Sequence, residues 1–117
     1  MEFGQQLAKL DKAIALERLG GDEELLKEVA ALFLDEYPPL MGDIKSAIHD
    51  QNADQLERAA HSLKGSVSNF GSDAAWQAAY ELEKMGRAGD LSTSQSAYAH
   101  LKKVMDAIHP ELSALAA

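Results

Sequence analysis

Cysteine is absent from the 117 residues. That one absence excludes disulfides, thiolate nucleophiles and zinc–cysteine sites together. Proline occurs only as Pro38, Pro39 and Pro110, so long stretches are free to be helical. Positive charge is scarce: 11 lysines and arginines stand against 19 acids, a net charge of −8 with neutral histidines. Such a surface repels a phosphate backbone, which sets nucleic acid aside as a partner. No apolar run approaches the roughly 18 residues of a membrane span, and no direct membrane contact is expected. The opening Met1-Glu2-Phe3-Gly4 has neither a basic region nor an apolar stretch behind it, and a cytoplasmic location is the expectation. What is present, 46% hydrophobic and 26% charged residues, is a globular balance. At this length it reads as one domain over residues 1–117.

Apolar residues recur at helical spacing almost throughout, and β-type alternation is nowhere convincing. Phe3, Leu7, Leu10 and Ile14 mark a first amphipathic segment, ended by Gly20-Gly21. Asp22 is placed to cap a second, with Leu25, Val29, Leu32 and Phe33 as its stripe up to Tyr37. Pro38-Pro39 is expected to break the chain and open another helix, with Leu40, Ile44, Ala47 and Ile48 inward. Asn52 followed by Gln55 resembles a capping box. It opens a helix carrying Leu56, Ala60, Leu63, Val67 and Phe70. Gly71 and Ser72 then end that helix and cap the next, which turns Ala75, Ala78, Leu82 and Met85 inward and stops in Gly86-Arg87-Ala88-Gly89. Asp90 to Thr93 offers several caps for a last helix with Tyr98, Leu101, Met105 and Ile108. Leu112 and Leu115 continue its register past Pro110, where a kink or end is expected near His109. Short connections favour antiparallel neighbours, so the fold class is all-α: an antiparallel up-down four-helix bundle with additional N-terminal helices.

Most catalytic signatures are missing. There is no phosphate-binding glycine loop with its lysine, no H-E-x-x-H and no serine-hydrolase elbow. Glu57 and His61 stand at i and i+4, but one such pair supplies too few ligands for a metal. A self-contained enzyme is not expected. One segment, His61-Ser62-Leu63-Lys64-Gly65-Ser66-Val67-Ser68-Asn69-Phe70-Gly71, stands apart. His61 lies about 140° around the helix from Leu56 and therefore faces solvent. Gly65, one turn on, also points outward, although glycine inside a helix costs about 1 kcal/mol relative to alanine. Removing a β-carbon beside an imidazole leaves clearance for a bulky group or a partner. Lys64 places an ammonium where it can neutralise an anion on that ring, and Ser68 flanks the same patch. Histidine, lysine and glycine so arranged describe a nucleophile that accepts and hands over a phosphoryl group; the alternative is a plain solvated helix face. Leu63, Phe70, Trp76 and Tyr80 read as packing residues, and His49, His100 and His109 as structural or solvated.

These residues closely resemble the histidine phosphotransfer (HPt) domain of phosphorelays. The family pattern, His-x-[aliphatic]-Lys-Gly with a glycine ten residues after the histidine, is filled by His61, Leu63, Lys64, Gly65 and Gly71. The likeness runs over roughly residues 10–108. It implies a four-helix bundle with accessory helices and a histidine exposed mid-helix. It implies that His61 Nε2 takes a phosphoryl group from a receiver-domain aspartyl phosphate and passes it to another receiver aspartate. It also implies no ATP site and no cofactor of its own, with Mg²⁺ supplied by the receiver. On this resemblance Lys64 stabilises the transferring oxygens, Gly65 gives room, and Glu83 stands where the family often has a glutamine orienting the imidazole through Nδ1. The plain alternative for Glu83 is an i, i+4 pair with Arg87. Arg87 resembles a basic residue that some members place near the site; the alternative for it is a solvated helix end. Ser68 and Gly71 are expected on the partner-binding surface, with docking through an apolar patch around the His61 helix. The partners implied are response-regulator receiver domains and a hybrid sensor kinase, and a monomer is the expectation. A docking module that binds receivers without transfer is the competing reading. A histidine-kinase dimerisation domain fits less well, because Ser62 stands where that class usually has an acid.

Overall fold

Four polar side chains start four of the helices. Asp11, Asp22, Asn52 and Ser72 each accept a hydrogen bond from the backbone N–H three residues on, a cap worth about 1 kcal/mol apiece. The computed structural model describes residues 10–117, and among these the helices are α1 (Lys12–Arg18), α2 (Glu23–His49), α3 (Ala53–Val67), α4 (Asp73–Ala88) and α5 (Ser94–Ala116). A 3₁₀ turn, Ser68–Phe70, follows α3. Helix α2 packs on α3 and α5, and α4 packs on those same two. With short returns between them the four run up and down around one core, the arrangement expected of this sequence. Phe3 and Leu7, read as part of a first amphipathic segment, lie outside the described residues.

The stripe on α3 is as read: Leu56, Ala60, Leu63, Val67 and Phe70 are all fully buried. Two readings on α2 are corrected. Pro38-Pro39 does not divide it, and the helix runs unbroken from Glu23 to His49. Each proline removes an N–H and costs about 3 kcal/mol in a helix interior. Both prolines are exposed, and the carbonyls they free belong to the half-buried Leu34 and the exposed Asp35. Phe33, Tyr37, Met41 and Ile44 are buried on either side of the pair, at about 1.5–3 kcal/mol each, and this holds the helix through it. The inward stripe also differs at its start. Leu26, Ala30, Phe33 and Tyr37 are buried, whereas Leu25 and Leu32 are 38% and 59% exposed. Leucines on adjacent positions left the register ambiguous by one residue. Pro110 likewise sits inside α5, flanked by the buried Ile108 and Leu112. The Asn52–Gln55 box is half formed, because the Gln55 amide reaches the Asp43 carbonyl instead of returning to Asn52.

Two glycines set how the elements approach each other. Gly71 adopts φ +69°, and a β-carbon there would come within 2.9 Å of Asp11 Cβ. Helix α1 docks on this turn, with Asp11 N–H donating to the Phe70 carbonyl at 3.0 Å and the Arg18 guanidinium donating to the Ser68 carbonyl. Gly86 lies within α4, and a β-carbon on it would meet Glu57 N at 2.6 Å and Ala53 O at 2.8 Å. The backbones of α3 and α4 therefore touch at Gly86, one turn beyond Glu83. Read from the sequence as part of a helix stop, Gly86 is a packing residue.

Gly42 in α2, by contrast, has open space where a β-carbon would go. Gly86→Ala is expected to lower stability in urea unfolding by about 1–3 kcal/mol, because rigid backbone must yield. Gly42→Ala should raise it by up to about 1 kcal/mol through helix propensity. Equal effects of the two substitutions would contradict the close approach at Gly86.

Candidate functional site

Two stripes face each other across the α3–α4 crossing. On α3 Glu57, His61 and Lys64, continued by Ser68 in the 3₁₀ turn, step by four, three and four; on α4 Trp76, Tyr80, Glu83 and Arg87 do the same. Antiparallel packing sets them opposite one another in reverse order. Arg87 Nε donates to Glu57 Oε2 at 3.0 Å. His61 Nδ1 lies 3.1 Å from Glu83 Oε2. Lys64 Nζ lies 4.9 Å from the centre of the Tyr80 ring and 5.4 Å from that of Trp76.

Glu83 is the centre of this cluster and is only 1% exposed. Burial alone would push its carboxyl upward, but Lys64 and His61 outweigh that and hold it below the usual glutamate range. Arg87 Nη2 donates to Oε2 at 2.6 Å from one turn further along α4. Lys64 Nζ stands 2.8 Å from Oε1 as an ion pair rather than an aligned hydrogen bond, and Oε1 has no other partner. An ionised carboxylate only accepts. The His61 nitrogen facing it therefore carries the proton, and in the neutral ring Nε2 keeps its lone pair. The His61 side chain is 66% exposed, so that lone pair is open to solvent.

The lysine lies differently from what its sequence position suggests. Its side chain is only 18% exposed and is folded inward onto Glu83 and over two aromatic rings, themselves 5.1 Å apart. Withdrawing it would leave Oε1 of a buried carboxylate without a partner, a cost of roughly 1–3 kcal/mol. The cation–π contacts add about 0.5–2 kcal/mol. An exposed ion pair elsewhere would return about 0–1 kcal/mol. The resting position wins.

Of the sequence-predicted residues, His61, Lys64, Glu83 and Arg87 come together. Arg87 is not a free helix end: it pairs with Glu83 at i−4 and with Glu57 across the crossing, which places it beside the histidine's partner. Gly65 is exposed, with nothing within 4 Å of a β-carbon built on it. Ser68 turns its hydroxyl back to the Gly65 carbonyl at 2.6 Å. With Arg18, Gly71 and Trp76 it lines a groove beside the cluster, not the cluster itself. Among the described residues the large exposed hydrophobics, Leu25 and Leu32, are on α2; beside the His61 helix the large apolar groups that reach the surface in part include Trp76 and Tyr80, both half-buried. Glu57 is held by Arg87, and no group of three metal-ligating side chains forms among the described residues. His109 is structural, with the Tyr37 hydroxyl 2.6 Å from its Nδ1. Sequence reasoning missed the Trp76–Tyr80 pair and Glu57 as parts of the site. The signal that finds them is the matched spacing of the two stripes.

A family model described as "Hpt domain" matches residues 28–111. No curated protein and no solved structure matches the chain.

Because the folded Glu83 carboxyl is depressed below the usual 4.5, its stabilising contribution is present above that value and is lost as pH falls through the folded one. The gap in unfolding free energy between wild type and Glu83→Gln should therefore narrow in urea titrations as pH drops below about 4. A gap unchanged from pH 7 to pH 3 would contradict an ionised, ion-paired Glu83.

Proposed function

The chain belongs to the Hpt domain family, the phosphocarrier modules of His–Asp phosphorelays, and from that membership we propose that His61 is the residue that takes and passes on the phosphoryl group. The observation that carries the assignment is a single imidazole with Nδ1 tied to a buried carboxylate and the rest of the ring open to solvent. The donor is a receiver-domain aspartyl phosphate of a hybrid sensor kinase, and the acceptor is an aspartate on a response-regulator receiver. The Nε2 lone pair attacks phosphorus, the N–P bond forms, and the bond to the aspartyl oxygen breaks, returning that carboxylate to the donor. The reverse sequence loads the acceptor. The Nδ1 proton stays in place throughout, and the positive charge that grows on the ring is met by Glu83. Fixing the ring on α3 against α4 supplies alignment, which is most of what a loose phosphoryl transfer asks of the protein.

The charges around His61 cancel: Lys64 and Arg87 against Glu83 and Glu57. The family resemblance implies that Mg²⁺ comes from the receiver, and a cluster with no spare cation is consistent with that division. Gly65 is assigned to clearance, since a helical glycine with open space over it returns nothing to the fold of this chain. A receiver loop or the phosphoryl group occupies that space during transfer.

Intact-mass measurement after incubation with Mg²⁺ and a phosphodonor-charged receiver domain is expected to show one acid-labile phosphoryl addition, absent from His61→Gln. Labelling of the variant would move the site; no labelling of the wild type by any of several receivers would leave a docking module. Gly65→Ala should raise stability by up to about 1 kcal/mol, while Gly65→Leu keeps its helicity and loses receiver docking. Undiminished docking by Gly65→Leu would refute the clearance role.

A further inference from the structure

The Lys64 ammonium is surrounded on the side away from solvent. Glu83 Oε1 lies 2.8 Å away, and the Tyr80 and Trp76 rings stand 4.9 and 5.4 Å off. Trp76 and Tyr80 are one turn apart on α4 and lean on each other. They offer the lysine a cradle built from the same helix that delivers Glu83. Oε1 has no partner other than this ammonium. Arg87 is engaged elsewhere, by Nε on Glu57 and by Nη2 on the other oxygen, Oε2.

We propose that Trp76 and Tyr80 hold the Lys64 ammonium on Glu83 through the whole transfer cycle, making Lys64 a positioning residue that acts through Glu83 rather than a counter-ion on the phosphoryl group. The inference rests on His61 being the phosphorylated residue. Its chemistry follows from the carboxylate. Glu83 is needed to hold Nδ1–H, yet its charge would repel an incoming phosphoryl group. A lysine fixed on the far oxygen, Oε1, completes the compensation while leaving Oε2 to the imidazole and Arg87. Arg87 is shared between Glu83 and Glu57. A lysine that swung out to the phosphoryl group would therefore leave Oε1 without a partner, and the carboxylate pair one charge short, just when an anion arrived beside it. The aromatic pair works against that swing, because an ammonium over two ring faces loses both contacts on leaving.

Two measurements test this. In wild-type protein, ring currents should shift the Lys64 ε-methylene protons upfield, and they should stay there when His61 is phosphorylated with phosphoramidate. Movement to the ordinary lysine position on phosphorylation overturns the proposal. In a double-mutant cycle of receiver-driven phosphoryl transfer, Lys64→Met should slow transfer about tenfold in the wild-type background and less than about twofold in Glu83→Gln. Equal slowing in both backgrounds would mean that Lys64 touches the phosphoryl group, and the proposal fails. Wild-type spectra decide the matter even if Lys64→Met loses its helicity. A wild type that takes up no phosphoryl group overturns the carrier reading and this inference together, whereas a phosphorylated wild type with a released lysine overturns this inference alone.

Discussion

A carboxylate buried between two helices is the constraint on which the site depends. Glu83 is almost wholly removed from water, and an ion so placed is tolerated only with close counter-charges and hydrogen-bond donors. Its three partners supply them, and each is thereby fixed: the imidazole ring by Nδ1, the lysine by its ammonium, the arginine by Nη2. The exposed imidazole is therefore positioned from beneath. Its outward edge stays open to solvent, while the charge that orients it is hidden and cancelled inside the bundle.

The fold brings that carboxylate to His61 by close backbone contact. Gly86 lets α4 touch α3 near Ala53 and Glu57, and one turn back along α4 the Glu83 side chain meets the imidazole. At the other end of α3, Gly71 turns the chain in a left-handed conformation and makes room for α1 to seat on the 3₁₀ turn. Gly65, between them, is not explained by packing in this way. Two glycines shape the bundle, and the third leaves space outside it.

Local chemistry was legible in the sequence, and pairing between helices was not. The caps at Asp22, Asn52 and Ser72 and the stripe from Leu56 to Phe70 follow from rules that act within a turn or two, and they appear as read. The proline pair was misread for the same reason. Within one turn it signals a break, and only the burial of Phe33, Tyr37, Met41 and Ile44 on both sides overrides it. Glu83 was marked by resemblance to a family position rather than by its neighbours, since nothing within four residues of it names His61. The role of Trp76 and Tyr80 was hidden because an aromatic pair at i and i+4 looks like ordinary core until the lysine opposite is placed. What was available and unused was the four-three-four spacing shared by α3 and α4, which an antiparallel pair of helices converts into contacts.

The most direct measurement of the central interaction is a long-range ¹H–¹⁵N spectrum of the His61 ring, in wild type and in Glu83→Ala, at a pH where the ring is neutral. A buried, ionised Glu83 accepting from the imidazole predicts the proton on Nδ1 in the wild type, with a shift of the tautomer population toward Nε2–H in the variant. A wild-type ring protonated on Nε2, or a population that ignores the loss of Glu83, would contradict the account at its centre.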